Sequence, residues 1–120
     1  MYPYGYEPAV SQRLDATFAA LADPTRRAIL LRLLDGEASV TELAAPFSVT
    51  QPAVSKHLKV LQEAGLISVG KDGQRRPRRI EPVPLIEAND WLERLREVWE
   101  ANFRRLDAVL LELQAQQEGE

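Results

Sequence analysis

Apolar residues recur along this chain with two periods, and the points where the period changes divide it into elements. From Ser11 to Ala22, Leu14, Phe18 and Leu21 fall on one face at spacings of four and three, which predicts an amphipathic helix. Asp23-Pro24 restarts the chain, because aspartate caps a helix and proline is tolerated at its first position. The second helix runs to about Leu34, with Ile29, Leu30, Leu33 and Leu34 inward, and stops at Asp35-Gly36. Ser39-Val-Thr-Glu42 matches a capping box and opens a short third helix, with Leu43 and Ala44 inward and Pro46 disrupting its end. Phe47-Ser48-Val49 is a turn. Thr50 and Pro52 then open a fourth helix that Gly65 closes, with Val54, Leu58 and Leu61 on its buried face. Two short helices joined in this way predict a helix-turn-helix.

Beyond Gly65 the period shortens. Leu66-Ile-Ser-Val69 reads as a strand, Gly70-Lys-Asp-Gly73 as a turn, and Arg78-Arg-Ile-Glu-Pro82 as the returning strand. Pro77 suggests a bulge or an edge. A hairpin directly behind such a helix is the wing of a winged helix. Residues 85–113 return to helical spacing, with Leu85, Ala88, Leu92, Leu95, Trp99, Phe103, Leu106, Leu110 and Leu113 three or four apart, and Trp91, Val98 and Val109 as a second row. That stripe is wider than one small domain covers, which predicts sharing with a partner. The fold class expected is therefore a winged helix-turn-helix, mainly α with a small β-hairpin wing, dimerising through the first and last helices. For those two helices intramolecular core is the competing reading, the two uses falling on different sides.

Residues 1–10 interleave Tyr2, Tyr4 and Tyr6 with Pro3, Gly5 and Pro8, which predicts an irregular arm. It is either a frayed terminus or an aromatic arm that packs on a partner subunit or reaches a nucleic acid. Residues 11–113 form the expected domain, and residues 114–120 a polar, frayed tail.

At 120 residues the chain suits one domain, and its hydrophobic content of 45% allows a core. It has no cysteine, which excludes disulfides, thiolate metal sites and thiol nucleophiles. Neither a signal peptide nor an apolar run of membrane-spanning length is visible, so a cytoplasmic protein is expected, with no membrane partner. One histidine and no glycine-rich phosphate loop leave no catalytic constellation, so neither an enzyme nor a cofactor is expected.

The net charge of −3 hides a strong segregation. Residues 1–50 carry −2, residues 51–80 carry +5 and residues 81–120 carry −6. The positive charge lies on the fourth helix (Lys56, Lys59) and the hairpin (Lys71, Arg75, Arg76, Arg78, Arg79). It is this distribution that sets an electrostatic footprint.

Opposite its apolar face, the fourth helix carries Gln51, Ser55, Lys56, Lys59 and Gln62, with no carboxylate before Glu63. Amides pair with adenine, and cations with phosphate or guanine, so this face suits a DNA groove. Gln51 and Ser55 are candidates for base edges; Thr50, Lys56 and Lys59 are candidates for phosphate. Pro52 and His57 complete the candidate set on this helix. His57 has no second ligand of the usual kind close in sequence, which favours a structural or phosphate-contacting histidine over a metal ligand. On the hairpin, Arg75, Arg76 and Arg78 are candidates for the minor groove or its flanking phosphates. The alternative is a solvated charged hairpin, although four arginines within five residues repel one another without an anion nearby.

These motifs, in this order, resemble the ArsR/SmtB group of bacterial winged-helix repressors over about residues 14–113. The most specific segments are Leu21-Ala-Asp-Pro-Thr-Arg-Arg-Ala-Ile-Leu30, Ser39-Val-Thr-Glu-Leu43 and Gln51-Pro-Ala-Val-Ser-Lys-His-Leu-Lys-Val-Leu61 followed by Ala64-Gly-Leu66. Pro46-Phe47 and the Trp91…Trp99 spacing resemble a branch lacking the usual metal ligands. The resemblance implies a homodimer on inverted-repeat operator DNA, usually repressing an adjacent operon. Leu14, Phe18, Trp91, Leu95, Trp99, Phe103, Leu106 and Leu110 are the expected dimerisation residues. The chain departs from metal-sensing members: Ser39 and Thr41 stand where thiolate sensors have cysteines, and residues 85–113 contain no histidine, so no inherited metal site is expected. Ser48 replaces the usual turn glycine, and Arg78 an aromatic often seen in the returning strand. A winged-helix module that binds protein and not DNA is the alternative, permitted by the acidic termini and the apolar stripe. The effector is unassigned: a small apolar ligand beside Trp91, Trp99 and Phe103, a metal on carboxylates, or none.

Overall fold

The computed structural model describes residues 6–118. Along the chain they form α1 (Pro8–Leu21), α2 (Pro24–Leu33), α3 (Val40–Ala44), α4 (Gln51–Glu63), β1 (Ile67–Val69), β2 (Arg78–Ile80) and α5 (Pro82–Glu118). The chain divides into two units, Met1–Ala88 and Asn89–Glu120.

Local chemistry accounts for each boundary in the first unit. The Asp23 carboxylate accepts from Arg26 N–H at 3.0 Å and starts α2. Ser39 and Glu42 form a reciprocal capping box at the start of α3. The Thr50 hydroxyl accepts from Ala53 N–H at 3.3 Å at the start of α4. Each satisfies a backbone donor that has no partner within its helix. Gly65, at φ +76°, ends α4 in a conformation that L side chains rarely adopt. The buried faces of these helices meet in one core of Ile29, Leu33, Leu43, Val54, Leu58, Leu61 and Leu66.

β1 and β2 pair antiparallel, with Ile67 opposite Ile80 and Val69 opposite Arg78. On its other side β2 is bridged by Ala38: Ala38 N–H donates to Arg78 O at 3.0 Å, and Arg78 N–H donates to Ala38 O at 2.7 Å. Pro77 is fully buried just before β2, and its carbonyl accepts from Gly70 N–H at 2.7 Å. The hairpin is thereby sewn to the segment that leads into α3.

The structure corrects four of the sequence expectations. α1 starts at Pro8 and not near Ser11, because proline is pre-set for the first position of a helix; residues 8–10 are thus helical, while Tyr2 and Tyr4 lie outside the described residues. α5 starts at Pro82 for the same reason, which ends the returning strand at Ile80. At its far end α5 continues to Glu118, since Gln, Ala and Glu are adequate helix formers, so residues 114–118 are helical. Leu34 points outward and is 66% exposed, on the same open side as Leu31 three positions earlier; with Leu21, Leu31, Ile80 and Leu85 it lines an open apolar groove.

The second unit is the outer stretch of α5. Beyond Trp91, which is half-buried, its large apolar residues are about half exposed or more, among them Leu92, Leu95, Trp99, Phe103, Leu106, Leu110 and Leu113. Trp99 and Phe103 lie ring to ring at 5.6 Å, as expected of residues four apart on one helix face.

Candidate nucleic-acid interface

α4 presents two faces of opposite character. Val54, Leu58 and Leu61 are buried. Gln51, Pro52, Ser55, Lys56, Lys59 and Gln62 are exposed on the turns between them. Lys56 and Lys59 have no acidic partner within ion-pair distance among the described residues. Their charge is therefore available to an external anion. Gln51 Nε2 donates to Thr41 Oγ1 at 3.4 Å, a long contact that links the start of α4 to α3 and that a base edge can displace. Thr50 uses its hydroxyl as the cap, so its contribution to any ligand is made beside that bond.

His57 is half-buried and faces α2. Its Nδ1 lies 3.8 Å from the Asp23 carboxylate and 3.4 Å from Arg26 Nη1. Asp23 is held below the usual aspartate range, first by the Arg26 backbone N–H and also by the nearby His57. Arg26 in turn donates to the carbonyls of Ala20 (2.6 Å) and Ala19 (3.1 Å), and Arg27 donates to that of Leu21 (2.8 Å). These two arginines close the C-terminus of α1, which needs acceptors satisfied and favours cations. Among the described residues no group of three His, Cys, Asp or Glu side chains is placed to hold a metal.

The hairpin arginines, alike in sequence, differ in their surroundings. Arg75 is ion-paired with Glu42 of α3. Arg79 Nε lies 3.8 Å from Glu37. Arg78 is half-buried: its Nη1 donates to Arg76 O at 2.7 Å, and its Nε is enclosed without a hydrogen-bond partner. Arg76 and Lys71 are exposed and have no acidic partner among the described residues. Glu42 is held below the usual glutamate range, first by the Ser39 hydroxyl and to a lesser degree by Arg75. Sequence reasoning saw Glu42 only as a capping residue. Nothing local signals its second role, because Arg75 lies 33 positions away.

Of the expected dimerisation residues, Leu14 is buried within the first unit, and Phe18 and Trp91 are half-buried. Leu95, Trp99, Phe103, Leu106 and Leu110 are exposed on α5. No helix among the described residues is long and apolar enough to cross a membrane.

Residues 23–69, from the cap of α2 to the end of β1, match the family profile described as bacterial regulatory protein, arsR family. Over 80 residues the chain is 45% identical to the HTH-type transcriptional regulator Rv2034 of Mycobacterium tuberculosis, covering 67% of this chain and 75% of that protein. It is 32% identical over 79 residues to the transcriptional repressor SdpR of Bacillus subtilis, covering 66% and 88% respectively. Among solved structures it is similar to the homodimeric winged helix-turn-helix DNA-binding domain of Mb0332 from Mycobacterium bovis, with a TM-score of 0.61, 25% identity and coverage of 79% and 93%. Sequence, topology and the arrangement of α3, α4 and the hairpin agree: the chain belongs to the arsR family of winged helix-turn-helix transcriptional regulators.

Proposed function

We propose that this regulator acts as a homodimer that binds an inverted-repeat operator and represses the neighbouring gene. The carrying observation is the open face of α4, where Gln51, Ser55, Lys56 and Lys59 stand exposed opposite a fully buried apolar row. On this reading α4 lies in the major groove, Gln51 and Ser55 read base edges, and Lys56 and Lys59 hold phosphates with help from Arg76 and Lys71 of the wing.

The dimer is supported by α5. Leu92, Trp99, Leu106 and Leu113 are spaced by seven and exposed, the register by which two helices pack along a shared seam. The partner is a second copy, in line with the homodimeric state of the Mycobacterium bovis domain. Leu14, buried in its own unit, is left out of the contact. Two-fold pairing would present two α4 helices about 34 Å apart, one turn of B-DNA. The repressor role follows the name of the Bacillus subtilis relative.

Sequencing DNA that co-purifies with the chain, followed by gel shifts on the recovered fragments, tests the reading. Discrete fragments carrying an inverted repeat are expected, and Gln51→Ala should relax the choice among them by about 1–3 kcal/mol per lost base contact. Recovery of no DNA above background, with normal folding, would turn the reading towards a protein-binding module.

A further inference from the structure

Surface ion pairs contribute little to stability, so the contact between Arg75 and Glu42 calls for a different explanation. Both side chains are about half exposed. Glu42 sits on α3 next to Thr41, which holds the Gln51 amide, and so lies beside the start of the reading helix. A carboxylate there faces the region where phosphates would run, and on its own it opposes binding. One of its oxygens is nevertheless heavily engaged: Oε1 accepts from the Ser39 hydroxyl at 3.0 Å and from Ser39 N–H at 3.4 Å, and Arg75 closes on the same atom, while Oε2 has Arg32 Nη2 at 4.0 Å, beyond hydrogen-bond distance. A second carboxylate, Glu37, lies 3.8 Å from Arg79 Nε. The segment between α2 and α3 therefore brings two carboxylates against the wing, while the Ala38 bridge fixes the backbone between them.

We propose that Glu42 is the built-in counter-ion of the wing: it holds Arg75 against α3 and off the DNA, so that the wing meets phosphate through Arg76 and Lys71. The inference rests on the DNA-binding reading above. Its consequence is restraint of sequence-independent affinity. A neutralised arginine releases no counter-ion from the duplex, so contacts at α4 make up a larger share of binding and selectivity rises.

The test uses the full chain with a random-sequence 30-base-pair duplex, measuring log K against log salt by fluorescence anisotropy. Glu42→Gln preserves the capping box, since glutamine fills that position as well as glutamate does; an unchanged melting temperature checks this. Freeing one arginine per protomer frees two per dimer, so Glu42→Gln should steepen the salt slope by about 1.8 and tighten binding at 0.1 M salt by at least about tenfold. Arg75→Gln should leave the slope of the unaltered protein in place, Arg76→Gln should flatten it by about 1.8, and Glu42→Gln with Arg75→Gln should restore it. An unchanged slope in Glu42→Gln, or equal flattening by Arg75→Gln and Arg76→Gln, overturns the assignment. Absence of any salt-dependent binding by the unaltered protein is a separate result that removes the DNA-binding reading together with this inference.

Discussion

Leu58 and Gln51 lie on one helix only seven positions apart, yet they answer to different forces. Leu58 is 2% exposed, and truncating it leaves a cavity in a close-packed interior. Leu58→Ala should lower the unfolding free energy in urea by about 2–5 kcal/mol. Thr50→Ala removes the cap and should lower it by about 1 kcal/mol, measured in the same way. Gln51→Ala, on an exposed side chain, should leave the urea midpoint unchanged. A Gln51→Ala midpoint displaced as far as that of Leu58→Ala would mean that the reading face is part of the core. These roles were legible in the sequence, because a cap depends on the next three residues and an inward position on the next turn of helix. The partners of Arg75, Arg79 and His57 were not, because Glu42, Glu37 and Asp23 reach them from other elements.

Among the elements, the hairpin shows how far local pattern carries. Alternation and turn chemistry located both strands; Pro77, read as a bulge or an edge in the second strand, instead lies buried just before it. The Ala38 bridge had no local sign, since one residue in extended conformation leaves no period to detect. Proline was the other difficulty. Pro8 read as part of an irregular arm and Pro82 as the end of a strand, yet both open helices, and only the chain that follows decides between the two uses. Gly65 marks a conformational constraint at the end of α4. Adding a Cβ there meets only Pro84 Cγ at an ordinary 3.7 Å, so strain comes from φ and not from crowding. Gly65→Ala should therefore destabilise the fold by about 1–2 kcal/mol, with the melting temperature as readout. For α5 the exposed stripe predicts self-association. Leu106→Glu should shift sedimentation from dimer to monomer, and a variant sedimenting like the unaltered protein would place the seam elsewhere.

For the molecule as a whole, charge sets the response to acid. Asp23, Glu42 and Glu87 all sit below their usual ranges, held by the Arg26 N–H, the Ser39 hydroxyl and the Arg13 guanidinium respectively. Arg13 grips Glu87 through both carboxylate oxygens, at 2.9 and 2.7 Å. A carboxyl group whose pKa is lower folded than unfolded stabilises the fold at pH values above the unfolded pKa, and that contribution disappears as pH falls through the folded one. Urea midpoints should thus be level between about pH 7 and 5.5 and decline below about pH 4.5. Flat midpoints down to pH 3 would show that these carboxylates do not distinguish folded from unfolded chain.

The sequence by itself determined the order and kind of the elements, the caps of α2, α3 and α4, the glycine stop of α4 and its two faces, because each follows from neighbours within a turn or two of the chain. It also determined that positive charge gathers on α4 and the hairpin. Which of those cations remain available to a phosphate was decided only by the tertiary structure. Ion pairing acts over a few ångströms of space and takes no account of separation along the chain, and the fold alone brings Glu37 and Glu42 against Arg79 and Arg75 while leaving Arg76, Lys71, Lys56 and Lys59 facing outward.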